Sequence, residues 1–150
     1  LGCGGSQFPA MLAEENEVEY VIAVDKDPQT FAIENPKVKP IQEDVFRYLD
    51  SSEFTDTGLF CSELMHCFSE ADQFELLLLF YDKFSKGSEF RILDLRPNTS
   101  LSLLFGYHML THCGGELFTS ERANSFAKKL DLDYVSFSAS KYHQMHVFTL

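Results

Sequence analysis

Three places along this chain hold residues whose types and spacing could do chemistry. Near the start, Gly2-Cys3-Gly4-Gly5-Ser6 clusters glycines where a strand would give way to a helix. Glycines at such a point let the backbone turn tightly and approach a ligand, and the free amides of the helix start face it. Asp25 closes a β-branched run 20 residues past Gly5, where a carboxylate can accept both hydroxyls of a ribose. Asp44-Val45-Phe46 follows a third short strand and sets a carboxylate beside apolar side chains. That suits an adenine, whose amino group donates and whose ring wants packing. In an open α/β sheet, ligands bind beyond the carboxyl ends of the strands, which is where all three groups fall.

Two cofactor classes share this plan. A nicotinamide site shows GxGxxG, with the third glycine allowing close helix–strand packing and the helix start receiving a pyrophosphate. Counting from Gly2 and Gly4 puts Gln7 at that third position, so the dinucleotide reading fails at its most diagnostic residue. S-adenosylmethionine carries no phosphate and needs a tight glycine turn, a ribose carboxylate and an adenine pocket. It is the better match.

The other reactive residue types form no comparable pattern. Cys3, Cys61, Cys67 and Cys113 contain no CxxC and are read as free thiols in a reducing, cytoplasmic compartment. His108 and His112 are spaced i,i+4 on an expected helix, but nothing designates a third ligand, so no metal is assigned. His143 and His146 are three apart in an expected strand, which sends them to opposite faces.

The elements that must hold these groups alternate along the chain without a linker or repeat. Leu1 reads as the end of a strand, and Ser6 caps a helix through Asn16 with Phe8, Met11 and Leu12 on one face. Strands follow at Tyr20–Val24, Val38–Ile41 and Gly58–Ser62, with a short helix around Gln29–Glu34 that stops at Asn35-Pro36. Ser69 and Asp72 start a long helix whose stripe is Phe74, Leu77, Leu78 and Tyr81, and which Gly87 stops. Phe90–Leu95 is a fifth strand, Ser100–Thr111 and Thr119–Leu130 are helices, and Leu132–Ser138 and His143–Leu150 pair antiparallel at the end. The alternation predicts an α/β fold with a mainly parallel sheet covered on both faces.

Composition bounds the partners. The 150 residues suit about one domain, and 45% hydrophobic content with 15 Phe allows a sizeable core. Twelve basic against 23 acidic residues leave a net charge of −11 and few cations for a phosphate-gripping face, which argues against nucleic acid. The longest apolar run, Leu76–Phe80, is far too short to cross a bilayer.

The chain resembles a class I S-adenosylmethionine-dependent methyltransferase, whose first motif commonly reads LGCGxG; Leu1-Gly2-Cys3-Gly4-Gly5-Ser6 departs from it at Ser6. It is most similar to the catalytic domain of the small-molecule O-methyltransferases. That group's GDMF segment is echoed by Glu43-Asp44-Val45-Phe46, and its LHDWSD segment by Met65-His66-Cys67-Phe68-Ser69-Glu70. Its GGxERT segment is echoed by Gly114-Gly115-Glu116-Leu117-Phe118-Thr119. The resemblance runs in order along almost the whole chain, and the first motif is the specific one.

The resemblance implies a Rossmann-like, mainly parallel seven-stranded sheet with an antiparallel last strand and a first strand largely missing ahead of Leu1. It implies one methyltransferase domain over residues 1–150, truncated at its N-terminus, with any dimerisation region lying outside it. Gly2, Cys3, Gly4, Asp25 and Lys26 would hold the donor's amino-acid part and ribose, Asp44 and Val45 its adenine. Phe68 would stand in for the family's Trp beside the cofactor, His66 would be the general base, and Asp94 would match an acid that serves it. An imidazole with an ordinary pKa of about 6.5 suits removal of an acceptor's proton. Three positions depart: Ser62 replaces a cofactor-contacting Lys, Cys67 the Asp after the histidine, and Leu117 an acid that orients the base. Three functions fit: methyl transfer to a small-molecule hydroxyl, methyl transfer to a protein or other nucleophile, and a degenerate domain that binds cofactor without catalysis. The Asn/Asp-Pro-Pro-aromatic signature of amino-group methylation on bases is missing.

Overall fold

A computed structural model describes residues 1–4, 6–27, 35–54, 58–97 and 115–150. The chain divides into two compact units, Leu1–Ser51 and Ser52–Leu150. The helices expected around Gln29–Glu34 and over Ser100–Thr111 lie outside the described residues, as do His108, His112 and Cys113.

In the first unit, helix α1 (Phe8–Ala13) precedes strand β1 (Val21–Asp25), strand β2 (Val38–Gln42) and helix α2 (Val45–Ser51). The strands pair in parallel, from Val21 opposite Val38 to Asp25 opposite Gln42. Ala13, Ala23 and Val38 form the buried centre, with Cys3, Ala10 and Val21 packed on it. Helix α1 is shorter than the expected Ser6–Asn16. Its last turn runs into Glu14, Glu15 and Glu17, and carboxylates are unfavourable at the negative end of a helix. Ser6 does bond the helix start, its Oγ accepting the Phe8 N–H at 3.1 Å. The buried face is Pro9 and Ala13, not Met11, which is 63% exposed.

The second unit runs strand β3 (Leu59–Ser62), a 3-10 turn (Met65–Cys67), helix α3 (Glu70–Lys83), strand β4 (Glu89–Leu95), helix α4 (Ser120–Leu130), and strands β5 (Asp133–Ser138) and β6 (His143–Thr149). The strand order is β3-β4-β6-β5. Strands β3 and β4 are parallel, and β6 lies antiparallel to both β4 and β5. The last strand is therefore antiparallel as expected, inserted between the two that precede it. The seven-stranded sheet is not what the described residues show: they form six strands in sheets of two and four. Where a first strand was expected, the Gly2 N–H bonds the Val24 carbonyl at 2.8 Å, and the described residues there form no strand.

Phe80, Phe90, Phe118, Phe126 and Phe148 are all fully buried in this unit, each burial stabilising by about 1.5–3 kcal/mol. Helix α3 starts as its sequence predicts, with Ser69 Oγ accepting the Asp72 N–H at 3.3 Å. Its buried face is Gln73, Leu76, Leu77 and Phe80, while Leu78 and Tyr81 of the expected stripe are exposed. The helix is rotated by about one position because a polar residue, Gln73, belongs to the inner face. Helix α4, at the expected Thr119–Leu130, buries Ala123, Phe126, Ala127 and Leu130. Among the described residues, no helix is long and apolar enough to cross a membrane.

Candidate functional site

The first unit brings the glycine turn and the end of β1 together. Gly2 and Gly4 have φ of 61° and 48°, a left-handed backbone that L side chains resist. A Cβ on Gly4 would meet nothing within 4 Å among the described residues, so the turn needs glycine for its dihedrals. Asp25 ties the turn down: its Oδ2 accepts the Gly4 N–H at 2.8 Å and its Oδ1 the Asp27 N–H at 2.9 Å. Each oxygen keeps a lone pair for a further donor. The Asp25 carbonyl accepts the Glu43 N–H at 3.1 Å, and Gln42 donates to the Lys26 carbonyl at 3.4 Å, which fastens the two strand ends side by side. Burial pushes the Cys3 thiol up, so it stays protonated in this turn.

Asp44 and Val45 take structural positions at the start of α2. Asp44 Oδ1 accepts the N–H groups of Phe46 at 3.0 Å and Arg47 at 3.3 Å, the work of a helix cap. Val45 is buried in the first turn of that helix.

The second unit assembles His66 and Asp94, which lie on the 3-10 turn after β3 and near the end of β4. The Nδ1 of His66 is 2.6 Å from Asp94 Oδ1, and the His66 backbone N–H reaches Asp94 Oδ2 at 3.1 Å. The Leu95 N–H adds a third bond, to Oδ1 at 2.7 Å. Asp94 is wholly buried and His66 nearly so. Since a carboxylate so surrounded by donors only accepts, the Nδ1 of His66 carries a proton. Burial opposes a charge on His66, but its hydrogen bond to Asp94 and the negative charge of that carboxylate push it up to about 10. The acid that meets the histidine is thus Asp94, and not a residue at position 117. Phe68 follows in extended backbone and is half-buried, its carbonyl accepting the Glu116 N–H at 3.0 Å.

Two residues of this site were given no role from the sequence. Gly115 rests on the His66 turn: a Cβ there would strike the His66 carbonyl oxygen and come within 2.9 Å of the Cys67 carbonyl carbon. Gln73 lies fully buried beneath the same turn. Residue order gave no signal for it: positions 73, 76, 77 and 80 have the same spacing as 74, 77, 78 and 81, and only the second set is apolar throughout.

No protein-family model matches the chain, and none of the curated proteins matches it in sequence. Solved structures match throughout its length. LepI in complex with S-adenosylmethionine superposes with a TM-score of 0.81 at 16% identity, covering 100% of this chain and 42% of that one. Human N-acetylserotonin methyltransferase, also in complex with S-adenosylmethionine, gives 0.81 at 12% identity over 99% of this chain and 46% of that one. An S-adenosylmethionine-dependent methyltransferase from Archaeoglobus fulgidus gives 0.79 at 19% identity, covering 99% and 83%.

The chain has the class I methyltransferase fold. At these identities the likeness is one of fold alone, and the chain spans less than half the length of LepI and of the human enzyme. Within the methyltransferase fold, the antiparallel β6 between β4 and β5 is the feature that the resemblance implied and the described strands bear out.

Proposed function

We propose that this chain binds S-adenosylmethionine and transfers its methyl group to a hydroxyl of a small molecule. The observation that carries the chemistry is the buried pair of His66 and Asp94, 2.6 Å apart. The glycine turn and Asp25 fit the donor: a left-handed turn faces it, and a carboxylate already anchored to that turn keeps lone pairs for ribose hydroxyls. Gly2, Cys3, Gly4, Asp25 and Lys26 would hold its amino-acid part and ribose, and Asp44 and Val45 its adenine; Phe68 stands in for the family's Trp beside the cofactor. When bound, the donor supplies a methyl made electrophilic by its sulfonium, so the protein contributes mainly alignment and exclusion of water.

Asp94 holds the His66 ring through Nδ1, which leaves Nε2 to meet the acceptor hydroxyl and take its proton. Held as it is, His66 is mostly charged at neutral pH, and only its neutral form accepts a proton. Turnover should accordingly climb with pH toward 10. The charged form also favours a second reading, a cofactor-binding domain whose imidazolium polarises an oxygen without transferring a methyl. Binding of the donor without its consumption, across a panel of phenols and alcohols, is the outcome that would select it.

Two measurements test the main reading. Calorimetric titration should show binding of S-adenosylhomocysteine and none of NAD; the reverse would end the donor assignment. The His66→Ala variant should retain that affinity while its turnover falls about 10²–10⁴-fold, the usual contribution of a positioned base. For a phenolic acceptor the loss should shrink at high pH, since phenolate needs no base.

A further inference from the structure

The core under the His66 turn contains a polar side chain that the proposed chemistry leaves unused. Gln73 is fully buried on α3, in line with Leu76, Leu77 and Phe80, where an apolar residue would fill the space. Its Nε2 lies 2.9 Å from the Met65 carbonyl, 3.2 Å from that of Phe68 and 2.6 Å from that of Glu116. The first two carbonyls flank His66 on either side. The third belongs to the segment whose Gly115 rests on the His66 carbonyl and whose Glu116 N–H bonds Phe68. Two amide hydrogens serve three acceptors, so one bond is shared.

An amide side chain can face either way, and Arg122 chooses. Its guanidinium donates through Nη1 to Gln73 Oε1 at 3.0 Å and to the Leu117 carbonyl at 3.2 Å. A guanidinium has no acceptor, so the Gln73 oxygen must face it and Nε2 must face the carbonyls. Arg122 is itself held by Glu116 at 2.7 Å and Glu70 at 3.2 Å through Nη2. The orienting group is therefore anchored at the starts of both α3 and α4.

We infer that Gln73, oriented by Arg122, is a positioning residue that sets the Met65–Phe68 turn so that both the backbone N–H and Nδ1 of His66 face Asp94. Its catalytic meaning rests on the role proposed for His66, but the geometry can be read without cofactor or acceptor. Among the described residues, the charged group that bonds the His66 imidazole is Asp94 from β4, while the Sγ of the neighbouring Cys67 turns to the Glu63 carbonyl at 4.0 Å. Titration of its imidazole is therefore a direct gauge of how well the turn seats it.

The test is imidazole NMR on the full chain carrying ¹⁵N-histidine, with His143 and His146 as internal references. In folded Gln73→Met, the His66 midpoint should drop by one pH unit or more toward the ordinary 6.5 while the two reference histidines keep theirs. Arg122→Met should move it the same way by less, and Arg122→Lys, which restores a donor to Oε1, should recover part of the shift. An unmoved His66 in folded Gln73→Met would make Gln73 a mere core filler and overturn the inference. So would a shift shared equally by all three histidines. Should Gln73→Met fail to fold, Arg122→Met decides on the same readout. Wild-type affinity for S-adenosylhomocysteine, measured alongside, separates failure of this inference from failure of the proposed function.

Discussion

His66 and Asp94, 28 residues apart in sequence, meet through two hydrogen bonds, one from the imidazole and one from the backbone N–H. The double contact fixes both the ring and the turn that bears it. Both side chains are almost wholly out of water, so neither charge is tolerable without the other. Asp94→Ala strands the histidine and should destabilise the fold by about 3–5 kcal/mol, the usual cost of breaking a buried pair. Urea unfolding would measure it, and a loss under about 1 kcal/mol would mean that the pair is solvated.

Stability should fall on both sides of neutrality, for two different histidines. The folded pKa of His66 is raised from 6.5 to about 10, so its contribution is complete below 6.5 and disappears as pH rises toward 10. His146 is buried against Phe118 and Tyr134, and burial, only partly offset by the field of Asp94, lowers it to about 4. Its contribution is present above 6.5 and disappears as pH falls toward 4, because the unfolded chain binds the proton first. Melting temperatures across this range should show a dome. In His66→Ala the alkaline limb should flatten while the acid limb persists, and an unchanged alkaline limb would contradict the assignment.

Gly115→Ala places a methyl against backbone that has no room to move aside. Overpacking of this kind costs about 1–3 kcal/mol, a drop of several degrees in a chain this size. The same change at Gly4 meets no atom among the described residues, so the loss expected there comes from its left-handed φ. Comparing the two melts checks the contrast: Gly115→Ala should be the one that also perturbs the His66 imidazole resonance.

Asp25→Ala removes the ribose acceptor proposed above and frees the Gly4 N–H it anchors. A hydrogen bond involving a charged partner contributes about 1.5–3 kcal/mol, so S-adenosylhomocysteine affinity should fall at least tenfold. Asp25→Asn, which keeps one oxygen, should lose less. Calorimetry on folded Asp25→Ala showing wild-type affinity would refute the role.

Local physics made much of this protein legible in one dimension. The strand at Val21–Asp25, the Ser69 cap of α3, helix α4 and the glycine turn all depend on neighbours within a few residues. Dihedral preference, capping and periodicity act at that range, so residue order alone determined them. His66 could be singled out by resemblance for the same reason, through the short segment around it.

The tertiary structure decided what lies between distant residues. It set the Asp94 carboxylate, which resemblance had offered as an acid serving His66, 2.6 Å from the imidazole and also on the backbone N–H of the same residue. It also turned Gln73 inward, rotating the buried face of α3 away from Leu78 and Tyr81. These outcomes rest on contacts across 28 to 49 residues, from Asp94 to His66 and from Arg122 to Gln73. A buried polar group takes whichever partner the packed chain brings within about 3 Å, and that choice is made only when the sheet and helices close around it.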